Sequence, residues 1–232
     1  MKAGGRVSRG LWVVVIFLAV IGCAAILRRA VNLWPVVAHR YRAPVVTSNP
    51  RLAQLGALDD LFAHYPYLTV IHILPGLLFM ILGPLQFSAT MRARHLRWHR
   101  WSGRVFLVCA GVIGVSALVM SVGMPAIGGI SQATATTVFG SFFLFALAKA
   151  FWHIRRREIA LHREWMIRGF ATGLAVAAVR PIIGFFFATS PLTGLAPREF
   201  FGAAFWMGFV VSLTVAEGWI RVTRERLVSG AR

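Results

Sequence analysis

The chain has 232 residues, 58% hydrophobic and only 14% charged, with a mean hydropathy of +0.71 and a formal net charge of +18. A soluble domain is about half apolar at most, so this composition excludes a water-soluble globule and suits one membrane domain with short loops. The positive charge does not indicate a nucleic-acid partner, because the basic residues stand in short clusters between apolar runs.

A helix needs about 20 apolar residues to cross a bilayer. In chain order, six runs meet or approach that length: 11–27, 67–87, 105–124, 134–152, 169–189 and 200–220. The expected fold is all-α, a polytopic membrane helix bundle of about six spans. Its expected parts are a first span with an extracytoplasmic segment (1–66), a four-helix membrane core (67–189), and a last span with a basic tail (190–232). Cys23 and Cys109 both fall inside apolar runs, so a disulfide framework is not expected. The tract Val20-Ile21-Gly22-Cys23 resembles a lipoprotein cleavage box, but a plain first-helix anchor is the expectation.

Charge sets the expected orientation. Lys2, Arg6 and Arg9 precede span one, and Arg92, Arg94, Arg97, Arg100 and Arg104 follow span two. Arg155, Arg156, Arg157, Arg163 and Arg168 follow span four, and Arg221, Arg224, Arg226 and Arg232 follow span six. All 17 fall on one side of a six-span topology, against six on the other: Arg28, Arg29, Arg40, Arg42, Arg51 and Arg198. The positive-inside rule makes the richer side cytoplasmic, with both termini there. Arg28 and Arg29, directly behind span one, oppose this assignment. In the long segment that follows, Thr47-Ser48-Asn49-Pro50 reads as a turn, and Asp59-Asp60-Leu61-Phe62 as the start of a short amphipathic helix.

A weak internal repeat runs through the basic segments. An offset of 63 places Arg92-Ala93-Arg94 over Arg155-Arg156-Arg157, and His99-Arg100 over His162-Arg163. Both stretches join an inward-running span to an outward-running one, so a duplicated helical hairpin is expected.

Ionisable groups within spans are costly and are functional candidates by default. His72 and Arg180 both fall in the outer half of the bilayer, at about 1.5 Å of depth per residue. Lys149, Glu217 and Gln86 lie near inner ends, where Lys149 can snorkel. Pro75 and Pro84 interrupt span two, and a site beside His72 would account for the carbonyls they free. On the inner face, His95, His99, His153 and His162 stand among arginines. That field favours anions over a bare divalent cation, so no metal site is expected. Anionic lipid headgroups, haem propionates or a substrate phosphate fit it.

His72 with Gly76, Gly83-Pro84-Leu85-Gln86-Phe87, His99-Arg100, Gly103-Arg104, His162-Arg163, Trp165-Met166-Ile167-Arg168 and Arg180 together form a recognisable set. On these residues the chain resembles a bacterial family of predicted membrane proteins, domain of unknown function 2306. The resemblance implies a multi-span membrane protein and no particular activity. A more distant likeness is to membrane b-type cytochromes, which hold haem between histidines on facing helices. That likeness implies at most one haem here, near the inner face, on His99 and His162 with Arg100 and Arg163 close by.

The reading taken from the sequence is an integral cytoplasmic-membrane protein, a non-catalytic membrane or assembly component of a larger protein complex. One alternative is a redox component that binds haem b or a quinone, with His72, Arg180 and Gln86 as ligand-binding candidates. Another is a transporter of small anions or lipids.

Overall fold

The computed structural model describes residues 2–38, 56 and 59–229, and over these residues the chain is all-helical. The helices are α1 (Lys2–Val37), α2 (residues 59–63), α3 (Pro66–Phe87), α4 (Ala89–Arg94), α5 (Leu96–Gly123), α6 (Gly129–Arg155), α7 (Ile159–Thr193) and α8 (Pro197–Ser229). Six of them, α1, α3, α5, α6, α7 and α8, are long and apolar enough to cross a membrane. The expected turn at Thr47–Pro50 lies outside the described residues, whereas the helix expected from Asp59 is present as α2.

The helices are longer than the apolar runs that announce them. Arg28 and Arg29 lie inside α1, which continues to Val37, and do not open a loop. The stretches 96–104 and 159–168, expected as loops, are the first turns of α5 and α7. The reason is physical. Hydropathy marks the hydrocarbon slab, while arginine, histidine and tryptophan continue a helix through the headgroup layer. Pro75 and Pro84 likewise sit within α3 without ending it. Real ends are chemically marked: the Ser88 hydroxyl caps α4 at the Met91 N–H, and Gly194, at φ +68°, closes α7.

The helix starts repeat with the sequence offset. Pro66 and Gly129 open α3 and α6, and Leu96 and Ile159 open α5 and α7, both pairs 63 residues apart. The offset holds for these helix starts and not for the ends, Phe87 and Arg155 or Gly123 and Thr193.

The chain divides into two compact units, residues 1–125 and 126–232. In the first, α3 packs against α1 and α5. Phe79 and Phe106 are fully buried and stack at 4.7 Å between ring centroids. Gly22 lets α1 approach Met80, whose Sδ would stand 2.9 Å from an added Cβ. In the second unit α6, α7 and α8 pack on one another around Ala135, Phe139, Ala175 and Phe209. A Cβ on Gly208 would meet Val179 at 2.6 Å, and one on Gly128 would meet the Gly202 backbone nitrogen at 2.5 Å. With apolar lipid as the competitor, such small-residue contacts are what bring membrane helices together.

Candidate functional site

The polar residues of the first unit form three groups. Near the end of α1, the buried Asp59 receives Arg28 through Nη1 and Nη2 (2.8 and 3.0 Å), Arg29 through Nη1 (2.9 Å) and Asn32 through Nδ2 (2.7 Å). The Arg29 guanidinium also lies 3.8 Å from the Phe62 ring centroid. Arg28 and Arg29, which opposed the charge rule, are therefore matched by a carboxylate from α2.

The second group is His72 with Ser116, whose Oγ lies 2.9 Å from His72 Nδ1. The Ser116 hydroxyl also lies within hydrogen-bonding distance of the carbonyls of Val112 and Ile113 (2.7 and 3.2 Å), and when it donates to them it can accept from His72 Nδ1.

The third group surrounds Gln86, a buried side chain at the end of α3. Its amide is oriented by its neighbours. The nitrogen donates to His99 Nδ1 (3.0 Å) and to the His99 carbonyl (3.3 Å). The oxygen accepts from the Gly103 N–H (3.2 Å) and faces the Ser102 hydroxyl (2.7 Å), which also reaches the Trp98 carbonyl (2.6 Å). Gln86 thus belongs with His99, a pairing that the sequence reading had not made. Arg100, next in the chain, is exposed.

The second unit repeats the theme with different groups. His162 Nδ1 donates to the Ala150 carbonyl at 2.8 Å. His99 and His162, equivalent under the 63-residue offset, each tie the first turn of one long helix to the last turns of the long helix before it, α5 to α3 and α7 to α6. Arg163 donates to Thr223 Oγ1 at 3.1 Å. Glu164, buried at the start of α7, accepts from Arg224 Nε at 2.9 Å and through a second bond from Nη2, and lies 4.0 Å from Arg168. Arg168 in turn grips Glu217 of α8 through Nε and Nη2, the latter at 3.0 Å. Lys149 stands over Trp152 and Trp165, 5.4 and 5.9 Å from their ring centroids. Arg180 lies on the exposed side of α7 and donates to the Val176 carbonyl at 2.7 Å.

Sequence reasoning missed Asp59 as a partner of α1, and Glu164 and Ser102 altogether. Glu164 carried a signal, since it precedes Arg168 by four residues on a helix. Among the described residues, no group of three or more His, Cys, Asp or Glu is placed to hold a metal ion.

The packing around Gln86 yields a paired expectation. A Cβ on Gly103 would stand 3.1 Å from the Gln86 amide, which its hydrogen bonds hold in place. Gly103→Ala should therefore destabilise by about 1 kcal/mol, the overpacking cost exceeding the gain in helix propensity. Gly111, on the same helix, has nothing within 4 Å of an added Cβ, so Gly111→Ala should stabilise by up to about 1 kcal/mol. Unfolding of both variants in detergent checks the opposite signs.

The description "Predicted membrane protein (DUF2306)" belongs to a family whose profile matches residues 69–220, a longer stretch than the motif residues alone span. No curated protein and no solved structure gives a significant match. The matched stretch begins at the start of α3 and ends in α8, taking in the Gln86–His99 and Glu164–Arg168–Glu217 groups. With well over half of its length matched and six helices able to span a bilayer, the chain is a multi-pass membrane protein and belongs to the DUF2306 family of predicted membrane proteins.

Proposed function

We propose that this protein is a non-catalytic membrane component of a larger assembly in the cytoplasmic membrane, with both termini on the cytoplasmic side. The observation that carries the reading is the use made of the polar groups in and beside the spans. Asp59 binds α1 to α2, Gln86 binds α3 to α5, His162 binds α7 to α6, and Glu164 and Glu217 bind α7 to α8. General acid–base catalysis needs a group able to exchange its proton with a substrate. These groups instead hold helix to helix, which suits a rigid body that other subunits pack against. Orientation rests on the arginine asymmetry, 17 against six, in which Arg28 and Arg29 count among the six.

One observation favours a second reading, a redox component holding haem b. A metal-bound imidazole carries its proton on the far nitrogen, donated to an oxygen acceptor. His162 with Ala150 has that arrangement, and His72 with Ser116 has it in the tautomer protonated on Nδ1. His99 does not, because its Nδ1 accepts from Gln86 and the proton rests on Nε2.

Affinity purification from native membranes in mild detergent separates the two. The first reading expects other subunits in fixed ratio with the 25.6 kDa chain and no pigment. A reduced-minus-oxidised b-type band near one haem per chain, abolished by His72→Ala, would overturn it in favour of the second.

A further inference from the structure

The first turns of α5 end a lipid-facing stripe in a basic and aromatic cluster. Arg97, Arg104, Val108, Val115 and Val122 follow at steps of seven, four, seven and seven residues, which keeps them on one side of a helix of 3.6 residues per turn. All five are exposed, Val108 at 68% and Val122 at 85%. The opposite side of α5, with Ser102, Phe106 and Ala110, is buried. Arg100 flanks the stripe one turn from Arg97 and Arg104 and is also exposed. Trp98 and Trp101 stand beside these arginines, 64% and 58% exposed and edge to face at 5.8 Å. Tryptophan pairs of this kind mark the level of the headgroups. The three guanidinium groups therefore stand at phosphate height, directly above a strip of valines that can take an acyl chain.

Within the first unit their charge has no nearby carboxylate. From Leu61 to Arg157 the sequence contains no Asp or Glu. The described carboxylates of the first unit, Asp59 and Asp60, precede α3 at its other end, about 33 Å away along a 22-residue helix. In the second unit carboxylates do stand beside the equivalent segment, where Arg168 bonds Glu217, Arg224 bonds Glu164 and His153 pairs with Glu158. Arginine is also the side chain best shaped for a phosphodiester, which it can grip with two parallel bonds.

We infer that Arg97, Arg100 and Arg104, with Trp98 and Trp101, form a binding site for the headgroup of an anionic phospholipid whose acyl chain lies along the valine stripe of α5. The proposal does not depend on whether the protein is an assembly component or a redox protein.

The test presents delipidated full-length protein in detergent with equal amounts of phosphatidylglycerol and phosphatidylcholine, and identifies the retained lipid by native mass spectrometry. The protein should retain phosphatidylglycerol about tenfold over phosphatidylcholine, as three surface arginines allow. An Arg97→Gln/Arg100→Gln/Arg104→Gln protein should lose that preference, while Arg155→Gln/Arg156→Gln/Arg157→Gln keeps it. If the first triple variant loses helicity, the unaltered protein in about 1 M salt, where the screening length is near 3 Å, must lose the preference instead. Equal retention of both lipids by the unaltered protein, or a preference that survives both the substitutions and the salt, overturns the proposal. So does abolition of the preference by about 10 mM inorganic phosphate, too little to act by screening alone at that ionic strength, since the site would then take a soluble anion.

Discussion

An Asp59→Ala protein is expected to lose about 3 kcal/mol of stability. Asp59 is 5% exposed, and Arg29, which it bonds, is 16% exposed. Removing one partner of a buried pair leaves the other charge desolvated, at a cost of about 3–5 kcal/mol. The lower end applies here because Arg28 is 41% exposed and can turn to water. The Arg28→Gln/Arg29→Gln/Asp59→Asn protein leaves no unpaired charge at the cluster and should recover part of the loss. Detergent unfolding of both variants checks the prediction. An Asp59→Ala protein within about 0.5 kcal/mol of its parent, the range of an ordinary surface substitution, would show that the cluster is incidental.

What the sequence disclosed and what it hid divide along physical lines. Apolar runs reveal spans because the hydrocarbon slab imposes them, and five of the six runs lie within helices of the structure while the third, 105–124, passes the end of α5 by one residue. Helix ends were hidden, because residues such as Arg97, His99, His162 and Arg163 have the composition of a loop and yet continue a helix through the headgroup layer. The 63-residue offset first noticed in arginines and histidines proved to hold for helix starts as well, which arginine-rich composition alone does not explain. The ion pairs were least legible. Asp59 lies about 30 residues from the arginines it serves, and Glu164 lies 60 from Arg224. No local pattern encodes contacts at such separations. Gln86 and His99 were nearer to being found, at opposite sides of one helix–helix turn, where a buried amide needs a partner. His72 and Arg180 were singled out for their depth. His72 meets Ser116 within its own unit, and Arg180 reaches the carbonyl one turn back on its own helix.

The second large effect is expected at Arg168. Its guanidinium bonds Glu217 twice, lies 4.0 Å from the buried Glu164, and stands over the Trp165 ring at 4.7 Å. One side chain thus joins α7 to α8 and keeps two carboxylates from facing each other without a cation between them. Arg168→Ala should cost about 3 kcal/mol, because Glu164 would keep only Arg224, whose side chain is 61% exposed. Lysine should recover only part of the loss, since a single ammonium cannot reproduce the two parallel bonds of the fork. Glu217→Gln should cost less than Arg168→Ala, because Glu217 is 39% exposed and Arg168 retains Glu164 nearby. The Arg168→Ala/Glu217→Ala double variant should fall well short of the sum of the single losses, as coupled partners do. The ordering also separates a helix latch from a ligand site. If Arg168 served an anionic ligand, its loss would register mainly as weaker stabilisation by added ligand, and the protein without ligand would unfold as its parent does. If it serves the helices, the full loss appears with nothing added, and the two glutamates account for it.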